Sequence, residues 1–322
     1  MITKQRTLKS SFTLRGKGLH TGLNIQIKFN PAPENHGYKI KRTDIMGTHI
    51  IDALAENVVS TMRGTVLGSS TVQVSTVEHA LAALYACGID NCLIDVDAPE
   101  FPIMDGSSIA FVQKILETGV KPQNARRIYL GFPRKKIRVK DEVSGASLTL
   151  IHSESFSIKS KISFDSVLLK QQEAYLPDIS FFIKDFARAR TFVFVREIES
   201  LLDRNLIKGG DMDNAIIIYD QIMEQEKLDR LSDILRVKRR DANHLGYLMN
   251  KPLNAPNEPA RHKLLDIIGD IALVGCFIKG RIEANCPGHT INNLFAREIR
   301  KHMKTEEKSN MLNVPGFYWN QP

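Results

Sequence analysis

Residues 258–270, EPARHKLLDIIGD, combine a broad apolar face with ionisable side chains on one narrow edge. On a helix of about 100° per residue, with His262 at zero, Asp266 falls at roughly 40° and Asp270 at roughly 80°. The apolar side chains fall between about 140° and 300°; they are Leu264, Leu265, Ile267, Ile268 and Ile271. Pro259 suits a first helical turn. The stretch therefore predicts a helix with one buried face and one polar edge.

The polar edge has two interpretations. A histidine at position i and an aspartate at i+4, here His262 and Asp266, can reach one metal ion together. Alternatively, the edge is a solvated helix face, although it carries none of the lysine and glutamate usual on such faces apart from Lys263 at its border. The spacing alone leaves both interpretations open.

A third metal ligand must come from another segment, because catalytic zinc sites have three protein ligands and one open position. His79 is the candidate, within STVEHALAALYACG (75–88), which predicts a helix that stops at Gly88. Glu78 precedes it near the helix N-terminus, where a carboxylate could take a proton from a metal-bound water. The alternative is a core histidine beside an ordinary first-turn glutamate.

His289 follows a Pro-Gly turn in CPGHTINN (286–293). With Asp270 close by in sequence, it could be an oriented acid or electrophile. A surface histidine in a turn is the alternative.

Composition predicts an ordinary globular protein. The chain has 322 residues, 43% of them hydrophobic, which favours two domains. No run approaches the roughly 18 to 20 apolar residues of a membrane helix, and the start, MITKQRTLKSS, lacks the apolar region of a secretory signal. We therefore expect a cytoplasmic protein. Four cysteines without CxxC spacing favour reduced thiols over disulfides or a cysteine zinc site.

The net charge is +8, from 44 basic and 36 acidic residues, and it favours an anionic partner. The basic clusters lack interleaved aromatic residues on which bases could stack. Nucleic acid is therefore the weaker option, and we expect no nucleic-acid partner.

The secondary-structure pattern restarts after about 125 residues. LNIQIKF (23–29) alternates as a half-buried strand, and the strand-like runs RIYLGF, KKIRVKD and ASLTLIH begin a second set that leads into helices. We expect domain I at 1–125, domain II at 126–303 and a loosely held tail at 304–322. Within domain II, the charged and amphipathic segment 219–256 predicts a surface insert with a helix.

Several motifs occur together in one order. They are GLHTG, NPAPENHGY, STVEHALAAL, PIMDGSS, ARARTF, GGDMDNAI, ARHKLLDIIGD and PGH. With these motifs the chain resembles, from residue 1 to about 303, the zinc-dependent UDP-3-O-acyl-N-acetylglucosamine deacetylases of lipid A biosynthesis. The resemblance implies an α+β fold of two similar domains, each a β-sheet packed with α-helices, with the active site between them.

The resemblance implies one zinc ion per chain, held by His79, His262 and Asp266. It also implies that Glu78 is the general base. In that role Glu78 would remove a proton from the attacking water, which zinc would acidify, as the water adds to the acetamide carbonyl of a UDP-3-O-(3-hydroxyacyl)-N-acetylglucosamine. The expected reaction releases acetate, and this deacetylation is an early committed step of lipid A (lipopolysaccharide) biosynthesis.

Other roles follow from the same resemblance. His289 would be the cationic group that protonates the departing amine, and Asp270 would orient it. Thr191 would donate a hydrogen bond to the developing oxyanion. Lys263 would face the phosphates of the substrate.

The family also builds an apolar passage for the acyl chain, and the resemblance implies that Phe192, Ile198 and Ile207 belong to it. Phe164 could stack on the uracil. Three departures from the family pattern bear on substrate contacts: Cys286 replaces a basic residue, Ser163 replaces an aspartate, and Lys208 stands where relatives often have an apolar residue.

The acylated substrate would bring the enzyme transiently to the inner-membrane surface without an anchor, and the resemblance suggests a monomer. Two other functions compete with the deacetylase. A zinc-stabilised binding protein for anionic polymers would need a closed four-ligand site, for which the sequence offers no obvious fourth ligand. A metalloprotease would need HExxH or its inverse, and neither is present.

Overall fold

A computed structural model describes residues 3–132, 135–235 and 237–313, with side chains up to residue 304. The fold is a mixed α+β arrangement, as the sequence predicts, in two halves that repeat one topology. Among the described residues, no helix is both long and apolar enough to span a bilayer.

The first half contains ten strands and two helices. They are β1 (Lys4–Leu8), β2 (Phe12–Lys17), β3 (Asn24–Pro31), β4 (Tyr38–Arg42), β5 (His49–Asp52), β6 (Val58–Ser60), β7 (Val66–Gly68), β8 (Gln73–Val74), α1 (Glu78–Ala86), β9 (Cys92–Val96), α2 (Ile109–Thr118) and β10 (Val120–Arg126). Five of the strands form a sheet in the order β2-β3-β9-β4-β5. In β3, alternate side chains enter the core, as predicted from LNIQIKF.

The second half contains ten strands and five helices. They are β11 (Tyr129–Leu130), β12 (Ile137–Lys140), β13 (Ser147–Ile151), β14 (Phe156–Ser163), β15 (Gln171–Leu176), α3 (Phe182–Asp185), β16 (Phe192–Phe194), α4 (Val195–Asp203), β17 (Ile216–Tyr219), α5 (Gln225–Leu235), β18 (Gly246–Leu248), α6 (Glu258–Ala272), β19 (Phe277–Ile278), β20 (Gly280–Asn285) and α7 (His289–Asn313). The main sheet has the order β12-β13-β20-β14-β15.

The two five-stranded sheets have the same topology. The middle strand, β9 in one and β20 in the other, pairs antiparallel on one side and parallel on the other. In each half, one helix precedes this strand and another follows it: α1 and α2 in the first half, α6 and α7 in the second. This repeat is what two similar α+β domains predict.

Helices α1 and α6 pack against each other where the two halves meet. Gly269 allows the contact, because a Cβ atom there would lie only 2.2 Å from the carbonyl oxygen of Glu78. The apolar face of α6 is wholly buried in the main core. The side chains of His262, Asp266 and Asp270 are also buried, so the polar edge of α6 is not a solvated face.

The segment 219–256 contains α5, in the place of the helix that the sequence predicts there, and β18. Its apolar residues Tyr219, Leu228 and Leu231 join Ile198 of α4 in a second, smaller core cluster. The tail expected at 304–322 is described only to Asn313, where it continues α7; residues 314–322 lie outside the described residues.

Candidate active site

A cavity of about 450 Å³ opens over the junction of α1 and α6 and is lined by both halves of the fold. The N-terminal turn of α1 contributes Glu78 and His79, and α6 contributes His262 and Asp266. His289, the first residue of α7, completes this group, so it begins a helix and does not lie in a surface turn.

The side chains of His79, His262 and Asp266 offer ligand atoms that all lie within 4.8 Å of one another. The Oδ1 atom of Asp266 is 3.3 Å from Nε2 of His262 and 3.9 Å from Nε2 of His79. That oxygen is buried and has no hydrogen-bond partner among the described residues. A buried carboxylate oxygen without a partner is costly unless it binds a cation. Two imidazoles and a carboxylate suit zinc, so the donor set fits a zinc ion.

The protonation states also suit a metal. Burial, reinforced by His262, lowers the pKa of His79 to about 3, which leaves its imidazole neutral near pH 7. Burial would raise the pKa of Asp266, but the surrounding cationic groups outweigh it and lower that pKa well below the usual range. Nδ1 of His262 lies 2.9 Å from the carbonyl oxygen of Ala189, which leaves Nε2 to face the cluster.

Glu78 lies beside the cluster with its carboxylate directed towards His289. Its Oε1 atom is 3.9 Å from Nε2 of His289, and its Oε2 accepts a hydrogen bond of 3.1 Å from the backbone N–H of Thr65. Burial, together with the carboxylates of Asp266 and Asp270, raises the pKa of Glu78 to about 7. A carboxyl group with such a pKa can accept a proton near neutral pH.

His289 is held by Asp270, with 2.9 Å between Nδ1 and Oδ2. The same Oδ2 atom accepts a hydrogen bond of 2.9 Å from Asn292, and Thr65 donates to Oδ1. Burial opposes the charged imidazole, but Asp270 and Asp266 outweigh it and raise the pKa of His289 to about 9. His289 is therefore a cation near pH 7 and can donate a proton.

Thr191 lies on the wall of the cavity between two backbone contacts. Its N–H donates to the carbonyl oxygen of Gly106, and its carbonyl oxygen accepts from Ile216, both at 2.8 Å. A Cβ atom at Gly106 would come 2.0 Å from the carbonyl oxygen of Asn214, so this approach requires glycine. These two backbone hydrogen bonds fix the position of Thr191 in the cavity wall.

Lys263 lines the same cavity, and its ammonium donates to Oδ2 of Asp266 at 2.9 Å. It also lies 5.7 Å from the ring centroid of Phe192. The group expected to face phosphates is thus adjacent to the cluster of His79, His262 and Asp266.

An apolar cavity of about 70 Å³ adjoins the main one, and Phe192, Ile198 and Ile207 all line it. Thr191 and Arg63 line both cavities. The residues that the resemblance assigns to an acyl passage are therefore brought together beside the cavity that holds Glu78, His79 and His289.

The remaining predicted residues lie differently. Phe164 is not among the described residues that line the main cavity; its ring packs against Phe192 and Phe194, with centroids 5.6 and 5.3 Å away. Cys286 lines the cavity, whereas Lys208 is exposed and Ser163 donates to the carbonyl oxygen of Lys170.

Three residues that hydrogen-bond to the site side chains were not predicted from the sequence. Thr65 contacts both Glu78 and Asp270, yet it lies in MRGTV, which has no periodic or spacing signal. Ala189 acts through its carbonyl oxygen, which no side-chain pattern reveals. Asn292 could have been found, because residues three apart share a helix face and it follows His289 at that spacing.

Comparisons with known proteins match most of the chain to one family. The family model described as LpxC: UDP-3-O-acyl N-acetylglycosamine deacetylase matches residues 5–243 and 242–301. A "Bifunctional enzyme LpxC/FabZ" of Porphyromonas gingivalis is 56% identical over 95% of the chain, and the chain spans 66% of that relative's length. A "UDP-3-O-acyl-N-acetylglucosamine deacetylase" of Syntrophus aciditrophicus is 34% identical over 96% of the chain and 90% of its own length. One of the same description from Myxococcus xanthus is 37% identical over 92% and 86%.

Proposed function

Because the chain belongs to the UDP-3-O-acyl N-acetylglycosamine deacetylase family, we propose that it hydrolyses the acetamide of UDP-3-O-(3-hydroxyacyl)-N-acetylglucosamine. The products are acetate and the free amine, in an early step of lipid A biosynthesis. The observation that carries the proposal is the buried cluster of His79, His262 and Asp266 beside Glu78 and His289.

The metal in this proposal is a single zinc ion held by His79, His262 and Asp266, whose ligand atoms lie close enough to share it. When bound, zinc supplies a Lewis acid that polarises the amide and acidifies the attacking water. The chain's own contribution is to keep both imidazoles neutral and Asp266 ionised.

Proton transfer is divided between two residues. Glu78, with a pKa of about 7, takes a proton from the attacking water as the new C–O bond forms. His289, with a pKa of about 9, gives its Nε2 proton to the amine nitrogen as the C–N bond breaks. Asp270 orients the imidazole through Nδ1, and the Thr191 hydroxyl stabilises the oxyanion of the tetrahedral intermediate.

Substrate binding uses the rest of the cavity. The acyl chain enters the apolar cavity lined by Phe192, Ile198 and Ile207, and Lys263 attracts the phosphates. Phe164, whose ring packs against Phe192 of the cavity wall, is the proposed contact for the uracil.

The proposal also places the protein in the cytoplasm as a monomer, with transient contact at the inner-membrane surface while the acyl chain is taken up. It divides the chain into domain I at 1–125 and domain II at 126–303. The identical topology of the two main sheets supports this division.

Two variants test the assignment. Asp266→Ala is expected to lose bound zinc, because it removes the carboxylate shared by both histidines. Glu78→Gln is expected to retain zinc while losing roughly 100- to 10,000-fold in kcat. Zinc content and acetate release are measured on both. Full zinc retention by Asp266→Ala, or an active Glu78→Gln protein, contradicts the assignment.

A further inference from the structure

Thr65 touches both proton-transfer groups of the site. It is fully buried just before β7. Its backbone N–H donates to Oε2 of Glu78 at 3.1 Å, and its hydroxyl donates to Oδ1 of Asp270. The hydroxyl oxygen also lies 3.3 Å from Nδ1 of His289. One residue of the first half thus connects the base on α1 to the acid and its orienting carboxylate in the second half.

We propose that Thr65 is a positioning residue that holds Glu78 and the Asp270–His289 pair in one fixed arrangement. The inference rests on the proposed deacetylase function for its kinetic consequence. Its geometric basis is independent of that function, because it consists of hydrogen bonds between buried groups.

The Thr65 hydroxyl is needed because the two carboxylate oxygens of Asp270 have different hydrogen-bond donors. Oδ2 already faces His289 and accepts from Asn292, both at 2.9 Å. Among the described residues, Thr65 is the only hydrogen-bond donor to Oδ1. Without this hydroxyl the buried Oδ1 has no hydrogen-bond donor, which costs free energy. The carboxylate recovers part of that free energy by rotating towards another donor or by binding a water molecule. Either change alters the direction in which His289 presents Nε2.

The backbone around Thr65 packs closely against the carboxylate of Glu78. A Cβ atom at the preceding residue, Gly64, would lie 3.1 Å from Oε1 of Glu78. The next residue, Val66, begins β7, which pairs with β6 and β8. The strand therefore fixes the N–H that reaches Glu78, and a change confined to the side chain should leave that bond in place.

Thr65→Val tests the proposal, because valine keeps the shape and the backbone N–H but lacks the hydroxyl. We expect kcat for acetate release to fall roughly 10- to 100-fold, with KM and zinc content unchanged. Thr65→Ser, which restores a hydroxyl, should recover most of the lost kcat. Thr65→Ala, which removes any steric demand of valine, should show the same loss.

Thr7→Val is the matched control. Thr7 is also buried, its hydroxyl donates to the carbonyl oxygen of Asn91 and accepts from the backbone N–H of Ala32, and none of the three lines the main cavity. It should lose stability without losing kcat. A Thr65→Val enzyme with wild-type kcat, or equal kcat losses in Thr65→Val and Thr7→Val, would overturn the positioning role.

A second readout separates this inference from the proposed function. The Nδ1–H proton signal of His289 reports its bond to Asp270 whether or not the protein turns over substrate. We expect this NMR signal to be alike in the wild type and Thr65→Ser and to shift in Thr65→Val. If the wild type releases no acetate but the signal still shifts in Thr65→Val, the deacetylase proposal fails and the positioning role stands. An unchanged signal in Thr65→Val overturns the role.

Discussion

Replacing Gly269 with alanine would place a methyl group 2.2 Å from the carbonyl oxygen of Glu78, and 2.8 and 2.9 Å from its carbonyl carbon and Cα. All three atoms are backbone, so no side-chain rotation can relieve the contact. The shortest separation that real Cβ atoms show is about 3.0 Å. Helices α1 and α6 must therefore move apart by the difference between 3.0 and 2.2 Å, about 0.8 Å.

This displacement falls directly on His79, His262 and Asp266, the proposed metal ligands. α1 carries Glu78 and His79, and α6 carries His262 and Asp266, so the ligands separate as the helices do. A misplacement of about 1 Å costs roughly 100-fold in rate, and overpacking of this kind costs about 1–3 kcal/mol of unfolding free energy. We therefore expect Gly269→Ala to turn over roughly 100-fold more slowly, to unfold with about 1–3 kcal/mol less free energy and to bind zinc more weakly.

The assay combines urea denaturation, zinc titration and acetate release on the purified variant. Gly246→Ala is the matched control, because a Cβ atom there meets nothing within 4 Å and should change none of the three measurements. Wild-type stability, zinc affinity and turnover in Gly269→Ala would refute the reasoning that close helix packing sets the ligand geometry.

Two further predictions follow from the buried charges. The profile of kcat/KM against pH for the zinc-loaded protein should fall above about 9 as His289 loses its proton. The acid limb, where Glu78 loses its proton, should lie below about 7 because bound zinc lowers that pKa. A profile that does not fall by about pH 10 argues against the role of His289, and one without an acid limb argues against that of Glu78. Glu258→Gln leaves Arg190, only 5% exposed, without its carboxylate and should lower the unfolding free energy by about 3–5 kcal/mol in urea. The exposed-pair control Lys159→Gln should change it by less than about 1 kcal/mol, and an equally small effect of Glu258→Gln would contradict the account of that pair.

The helices of the site were predictable because their signals are local. A period of 3.6 residues placed His262, Asp266 and Asp270 on one edge of α6, and the structure buries that edge against α1. The segment 75–88 likewise contains α1, with Glu78 and His79 in its first turn. The family motifs then indicated which separate segments converge.

The supporting contacts were not predictable, because they depend on pairing across long stretches of chain. Thr65 and Asp270 are 205 residues apart, and the carbonyl of Ala189 reaches His262 across 73 residues. No local period encodes such contacts. The packing of the Phe164 ring against Phe192 is likewise a contact between separate segments that no local period encodes.

The most direct test of the central claim is acetate release from UDP-3-O-(3-hydroxyacyl)-N-acetylglucosamine, measured before and after treatment with a zinc chelator. We expect the zinc-loaded protein to release one acetate for each free amine formed, to stop releasing acetate on chelation and to resume when zinc is restored. A folded, zinc-loaded protein that releases no acetate, or release that persists after zinc has been removed, would contradict it.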